Sequence, residues 1–356
     1  MKTMKFAILN DTHCGIRNSS DIFVDYQHRF YDEVFFPYLK ENGIKHIVHL
    51  GDYYDHRKYV NFKALADNRE VFLERLRSEG ITMDIIPGNH DVYYKNTNEL
   101  CSLKELMGHY MNEVNIVMEP RVMDYDGCKV ALVPWINNQN YHSSVDFIKN
   151  CKADFLGAHL ELVGFDMMKG VKNTHGMGTE LFEKFEQVWS GHFHTKSNQG
   201  NIHYLGSQME FTWADAHDPK YFHIFDTETR TLEPVLNPIN IFEKVVYDDS
   251  KTDYNSIDVA YLKDKFVKLV VIKKEDPFSF DRFVDRIQQL GVHDLKIAET
   301  FDEFVGVNVD DEGISVEDTT ELLDSYVDAV ETDLDKDKIK GLMRGLYVEA
   351  QNMELA

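Results

Sequence analysis

Between residues 11 and 194, short clusters of carboxylate, amide and imidazole side chains recur along this 356-residue chain. In order they are Asp11-Thr12-His13, Gly51-Asp52, Gly88-Asn89-His90-Asp91, Gly157-Ala158-His159 and Gly191-His192-Phe193-His194. Taken singly each is weak, since a DxH triplet or a Gly-His pair arises readily by chance. Together they supply the mixed oxygen and nitrogen donors that hold a pair of divalent metals. Two such ions sharing a carboxylate, roughly 3.5–4 Å apart, neutralise phosphoryl oxygens and raise the nucleophilicity of water. Carboxylate with imidazole suits Mn²⁺ or Fe²⁺ better than Mg²⁺, which prefers oxygen shells.

The elements that must position these groups are legible around them. Each cluster follows a short apolar run: Phe6–Leu9, Ile47–Leu50, Asp84–Ile86, Asp154–Leu156 and Val188–Trp189. Such runs, closed by turn residues, predict buried strands, and open α/β sheets carry their sites just past strand ends. Helical patterns intervene. Asp21 to Lys40 carries Phe23, Tyr26, Phe30 and Val34 on one face before Gly43. Asn61 to Glu79 repeats the pattern with Leu65, Phe72 and Leu76, and Gly80 stops it. A third helix is predicted over Asn98 to Tyr110. Alternation of this kind gives an α/β class, a βαβ sheet with helices on its faces. Ile202–Leu205 and Tyr221–Phe225 end the large domain, 1–236, and Pro234 and Pro238 bracket a linker. A small α+β domain, 237–309, follows, with strands at Phe266–Ile272 and Asp294–Glu299 around a helix over Asp281–Gln289. After a charged hinge at Asp310–Gly313, Thr319 to Glu354 reads as amphipathic helix, so that 310–356 forms a separate segment.

Composition bounds the function. The net charge is −23, and the stretch from Glu299 onward carries 17 acidic and 4 basic residues, more than half of that excess. Phosphate binding needs clustered Lys and Arg, so the charge weakens a simple electrostatic DNA reading. Cys14, Cys101, Cys128 and Cys151 show no paired spacing, which fits a reducing, cytoplasmic setting rather than a disulfide framework. No run approaches the roughly 20 apolar residues of a membrane helix.

With the clusters in place, the chain resembles the calcineurin-like metallophosphoesterases, and within them the SbcD-type (MRE-type) double-strand-break repair nucleases. The narrower likeness rests on Val188-Trp189-Ser190-Gly191-His192-Phe193-His194-Thr195 and on Gly170-Val171-Lys172-Asn173-Thr174-His175-Gly176. The resemblance implies a two-sheet sandwich flanked by helices, with 237–309 as a cap. It implies one metal on Asp11, His13, Asp52 and His194, and a second on Asp52, Asn89, His159 and His192, with Asp52 as the bridge. His90 is left to meet the scissile phosphate and assist the leaving oxygen, with Asp91 fixing its tautomer. Further implications are two Mn²⁺ ions (Fe²⁺ or Mg²⁺ as alternatives), 3′→5′ exonuclease action on duplex DNA and endonuclease action on single strands. The acidic helices would dock an SbcC-type ABC ATPase, and the second and third helices would form a homodimer face.

Other residues near the clusters have plainer readings. Cys14 is expected to be packing, His49 a core histidine, and Asp55 a support for the bridging region. Arg57, Lys58, Lys172 and His175 are candidate DNA contacts, with ordinary solvation as the alternative. A stand-alone phosphatase or small-molecule phosphodiesterase of the same superfamily is the competing function. Against it, the phosphatase motifs GDxxDRG and GNHE give way here to His56-Arg57 after Asp55 and to Asp91.

Overall fold

The computed structural model describes residues 4–168 and 171–298, and beyond them 327, 336 and 338–343, all helical. The hinge at 310–313 and most of the predicted acidic helices lie outside the described residues. Contacts divide the chain into two units, Met1–Val307 and Asn308–Ala356.

In the first unit, two six-stranded sheets stack face to face. One runs, edge to edge, Thr231–Leu236, Tyr221–Asp226, Lys5–Leu9, His46–His49, Thr82–Ile85 and Val114–Ile116. The second sheet runs Ser197–Gln199, Ile202–Tyr204, Gln187–Gly191, Phe155–His159, Cys128–Val133 and Arg121–Tyr125. In the first, Tyr221–Asp226 pairs antiparallel with both its neighbours and the remaining pairs, out to Val114–Ile116, are parallel; in the second, the central pairs are parallel and both outermost strands pair antiparallel. The reason is visible in Phe6–Leu9. Phe6 and Ile8 pack between the sheets, while Ala7 and Leu9 pack beneath the helices. A strand buried on both faces must be apolar throughout, the signature of parallel strands covered on both sides. Trp189, Phe155 and Phe225 fill the space between sheets, Trp189 stacking on Phe155 at 5.3 Å between ring centroids.

The first two predicted helices form, each interrupted by a wider π turn, at Phe30–Phe35 and Arg69–Leu73. The extra residue in the turn brings Phe30, Tyr31, Phe35 and Phe36 all to the buried side, where Phe72 meets them. The third helix is shorter than predicted, Ser102–Leu106 with a 3-10 turn at Gly108–Tyr110. Its expected start is diverted. Asn98 instead donates to the Trp135 carbonyl and accepts from Asn137, and Cys101 bridges to Val92. Pro234 is not in a linker but within the Thr231–Leu236 strand. That strand is an edge, where a residue without an N–H is tolerated.

A third, parallel sheet joins Phe242–Asp248, Phe266–Lys273 and Asp294–Ala298, with the helix Pro277–Gln289 packed on it. Among the described residues no helix is long and apolar enough to cross a membrane.

Glu210 ties this third sheet to the segment that follows the last His cluster. Its Oε2 accepts the backbone N–H of Ile241 at 2.7 Å and of Phe242 at 2.9 Å. Burial pushes its carboxyl up from 4.5 to about 7, the two N–H groups pulling the other way. The folded chain thus holds this proton more tightly than the unfolded one. The group's contribution is full below about pH 4.5 and is lost as pH rises to 7. Glu210→Gln keeps an oxygen acceptor without the titration. Its stability relative to wild type is therefore expected to grow from pH 5 to 7, by about 2 kcal/mol. Urea denaturation across that range measures it; curves that stay parallel would contradict it.

Candidate metal centre

All five clusters lie where the parallel strands of the two sheets reach their C-terminal ends, so groups distant in sequence meet. The loops after Lys5–Leu9 and His46–His49 continue pairing beyond their strands. Asp11 N–H donates to the Gly51 carbonyl at 2.9 Å, His13 N–H to Asp52 at 3.1 Å and Cys14 N–H to Tyr53 at 2.7 Å. This extension forces Asp11, His13 and Asp52 into left-handed backbone (φ 49°, 44° and 55°), as His192 is at 92°. Such residues cost on the order of 1–3 kcal/mol each and persist only where surroundings impose them. Two glycines let the loops interlock. A Cβ on Gly88 would stand 2.1 Å from Asp52 Oδ1, and one on Gly51 would stand 2.6 Å from Gly88 N.

Three groups of donors converge: Asp11, His13 and His194; Asp52, His159 and His192; and His13, Asp55 and His90. Within each, one ligand atom per residue lies within 4.8 Å of the others. His13 Nε2 is 3.1 Å from His194 Nε2, and each is 3.9 Å from Asp11 Oδ1. Asp52 Oδ2 stands 4.0 Å from His13 Nε2 and 3.3 Å from His159 Nε2, between the first two groups. Asn89 Oδ1 lies 2.9 Å from His159 Nε2 and 3.0 Å from His192 Nδ1. Donor atoms about 2.1 Å from one ion stand roughly 3.0–3.4 Å apart when adjacent and up to about 4.2 Å when opposite, so these spacings fit ligand shells.

The orientation of the rings supports the same fit. His159 Nδ1–H donates to the Leu50 carbonyl at 2.8 Å, which turns its Nε2 inward. His13 Nδ1 lies 3.2 Å from Asp55 Oδ1, and its Nε2 also faces in. Partners on the outer nitrogen fix the tautomer a metal needs. Electrostatics show a site built around positive charge. Against the penalty of burial, Asp55 and Asp52 hold His13 up to about 9, and Asp52 holds His159 up to about 9. Burial and then neighbouring imidazoles push His194 down to about 4 and His192 well below its usual value. Crowded imidazoles cannot all carry protons; a buried set of imidazoles beside carboxylates is a donor set that divalent cations would complete.

His90 belongs to the third of these groups and stands beside the other two. Its N–H donates to Asp52 Oδ1 at 2.8 Å, and its ring Nδ1–H to the Asp55 carbonyl at 2.5 Å. That carbonyl, not Asp91, sets the tautomer expected from the sequence. The Asp91 carboxylate is instead buried among the N–H groups of Tyr53, Tyr54 and Gly88 at 2.9–3.2 Å, clamping the Asp52 loop against the Asn89 loop. His49 is fully buried, bonded to Thr12 Oγ1 and Gly51 N. Cys14 is also buried, and its Sγ meets the Ala64 carbonyl. Lys58, Lys172 and His175 are exposed and Arg57 half-exposed, with none in the donor groups.

Sequence reasoning missed three supports. Trp135 packs its ring 5.4 Å from His192 and 5.9 Å from His159. It follows the Cys128–Val133 strand, so the strand-end signal that marked the clusters also marks it. Phe211 lies edge-on to His13 and His194. Lys220 is the third. Its buried ammonium donates to Asp215 at 2.6 Å, Asp218 at 3.0 Å and the His194 carbonyl at 2.9 Å. Lys220→Met strands the buried Asp215 carboxylate and is expected to cost about 3–5 kcal/mol, read as a lower urea midpoint. A midpoint within error of wild type would contradict this.

The calcineurin-like phosphoesterase profile matches residues 4–225, and the chain belongs to that family. Members of the family work with divalent metals, which the donor groups above are candidates to hold. Among individual proteins, the chain is 32% identical over 350 residues to "Exonuclease subunit 1" of Enterobacteria phage T4, across 98% of this chain and 99% of the relative. Fainter likenesses extend to a novel archaeal phosphodiesterase (13% identity, TM-score 0.34) and to a protein of Thermus thermophilus, TT1561 (12%, TM-score 0.38). Each covers 66% of this chain, and 100% and 99% respectively of the solved structure.

Proposed function

We propose that this chain is the nuclease subunit of an SbcC/SbcD-like recombination and repair complex. It hydrolyses DNA phosphodiester bonds, 3′→5′ from duplex ends and endonucleolytically in single strands. The observation that carries the reading is the meeting of the five clusters at the strand ends, with His90 beside the groups built on Asp11 and Asp52. The alignment with a phage protein named an exonuclease subunit, nearly end to end, supports DNA as the substrate. In this reading Asp11, His13, Asp52 and His194 hold one ion and Asp52, Asn89, His159 and His192 the other, both Mn²⁺. Bound ions of this kind polarise phosphoryl oxygens and acidify water for attack.

The chain's own residues do the rest. His90, its Nδ1–H spent on the Asp55 carbonyl, offers Nε2 to protonate the departing oxygen. Asp91 keeps the loops carrying Asp52 and Asn89 in register. Arg57, Lys58, Lys172 and His175 contact the DNA backbone. Residues 1–236 form the catalytic domain, 237–309 the cap, and 310–356 dock the ABC ATPase, with a homodimer formed through the helical face. The test is a Mn²⁺ assay on linear duplex, single-stranded circle and p-nitrophenyl phosphate, with and without the ATPase. Cleavage of both DNAs is expected; hydrolysis of the small ester alone would overturn the reading in favour of a phosphatase.

A further inference from the structure

At the open edge of the sandwich lies a cavity of about 340 Å³, lined on its polar side by Gln187, Lys196, Asn198, His203, His223 and Thr231. Its size is that of a small-ligand site, and strand alternation explains its lining. Ile202 and Tyr204 pack outward beneath the second sheet, which turns His203 toward the space between sheets. His223 shares a face of its strand with Phe225, which packs against Trp189 in that same space. Two imidazoles from opposite sheets thus border one cavity, and Lys196 leads into the edge strand beside them.

The charge of this cavity runs against that of the chain. Lys196 is half-buried, its ammonium 4.8 Å over the Tyr221 ring, and among the described residues no carboxylate pairs with it. Burial and then Lys196 push His203 down; burial, Lys196 and His203 push His223 down to about 3, and no acid opposes them. His223 is 1% exposed, and neither of its ring nitrogens has a hydrogen-bond partner. An unpartnered buried imidazole is costly, and here the missing partner cannot be a cation, which Lys196 would repel. An oxyanion answers every feature: it accepts from the ammonium and from both rings, and lies in charge-assisted bonds.

We infer that this cavity is a phosphate-binding subsite that takes the phosphoryl group of a nucleotide. Lys196 is two residues past His194, so their Cα atoms lie within about 7 Å, and the subsite neighbours the candidate metal loop. The nucleotide as carrier rests on the nuclease reading; the phosphate chemistry does not.

Calorimetric titration of the full-length, EDTA-treated chain with inorganic phosphate and, separately, with dAMP tests it. Both are expected to bind. Lys196→Met and His203→Gln, at half-exposed positions that leave the fold intact, should each weaken binding by at least about tenfold. His223→Gln should do the same if it folds. Absence of phosphate binding, or equal binding by the Lys196 and His203 variants, would overturn the subsite. Phosphate binding with dAMP excluded would overturn the nucleotide assignment. The titration is run without metal, whereas cleavage is assayed with Mn²⁺ supplied: phosphate binding by a chain that fails to cut DNA in the Mn²⁺ assay sinks the nuclease reading and leaves the phosphate subsite standing.

Discussion

Asp52→Asn is expected to lower phosphodiester hydrolysis by at least about 10³-fold and to reduce the metal bound per chain. The substitution keeps the shape of the side chain. Its remaining oxygen can still accept the His90 N–H, so the His90 loop is not released. What is removed is the negative charge that stands between His13 on one side and His159 on the other. That charge is secure in the wild type. Against the penalty of burial, His159 and His90 hold the carboxyl well below its ordinary range. A carboxylate serving two ions contributes several kcal/mol of electrostatic stabilisation, and each 1.36 kcal/mol is about a factor of ten in rate. Metal analysis and kinetics on the same preparation check both halves. A variant that keeps its full metal content and its rate would remove Asp52 from the bridge.

The second large effect separates chemistry from metal binding. His90→Asn is expected to cut kcat by about 10²–10⁴-fold, the usual contribution of a positioned acid or base, while metal content stays at the wild-type level. The geometry explains the split. The donor groups around Asp11 and Asp52 do not include His90, whose Nδ1–H is bonded to the Asp55 carbonyl. Asn can reproduce that bond but has no group that gives up a proton near neutral pH. The loss should therefore be smaller for a substrate with a good leaving group, such as bis-p-nitrophenyl phosphate, than for DNA. Equal losses on both substrates, or loss of metal, would assign His90 a different part.

What could be read from the sequence divides by the range of the interaction. Apolar runs such as Phe6–Leu9 announce strands covered on both faces, and the polar clusters behind them announce a site at the strand ends. Both signals are local. The helical stripes are equally local, although the π turns at Phe30–Phe35 and Arg69–Leu73 follow from aromatics crowding against each other across two helices. Asn98 leaves its helical pattern because Trp135 and Asn137, nearly forty residues on, supply its hydrogen bonds. Asp91 shows the same limit within the site. Adjacency in the chain suggests a partner for His90, whereas folding offers its carboxylate the N–H groups of Tyr53 and Tyr54. Lys220 sits in no motif and reaches the site only through the His194 carbonyl.

The most direct test of a two-metal centre acting on DNA is a titration of the metal-stripped, full-length chain with Mn²⁺. Bound metal and cleavage of linear duplex would be followed together. Activity absent in the stripped chain, appearing as binding proceeds to two ions per chain and missing in Asp52→Asn throughout, is the expected result. DNA cleavage undiminished by metal removal, or complete with a single ion bound, would contradict it.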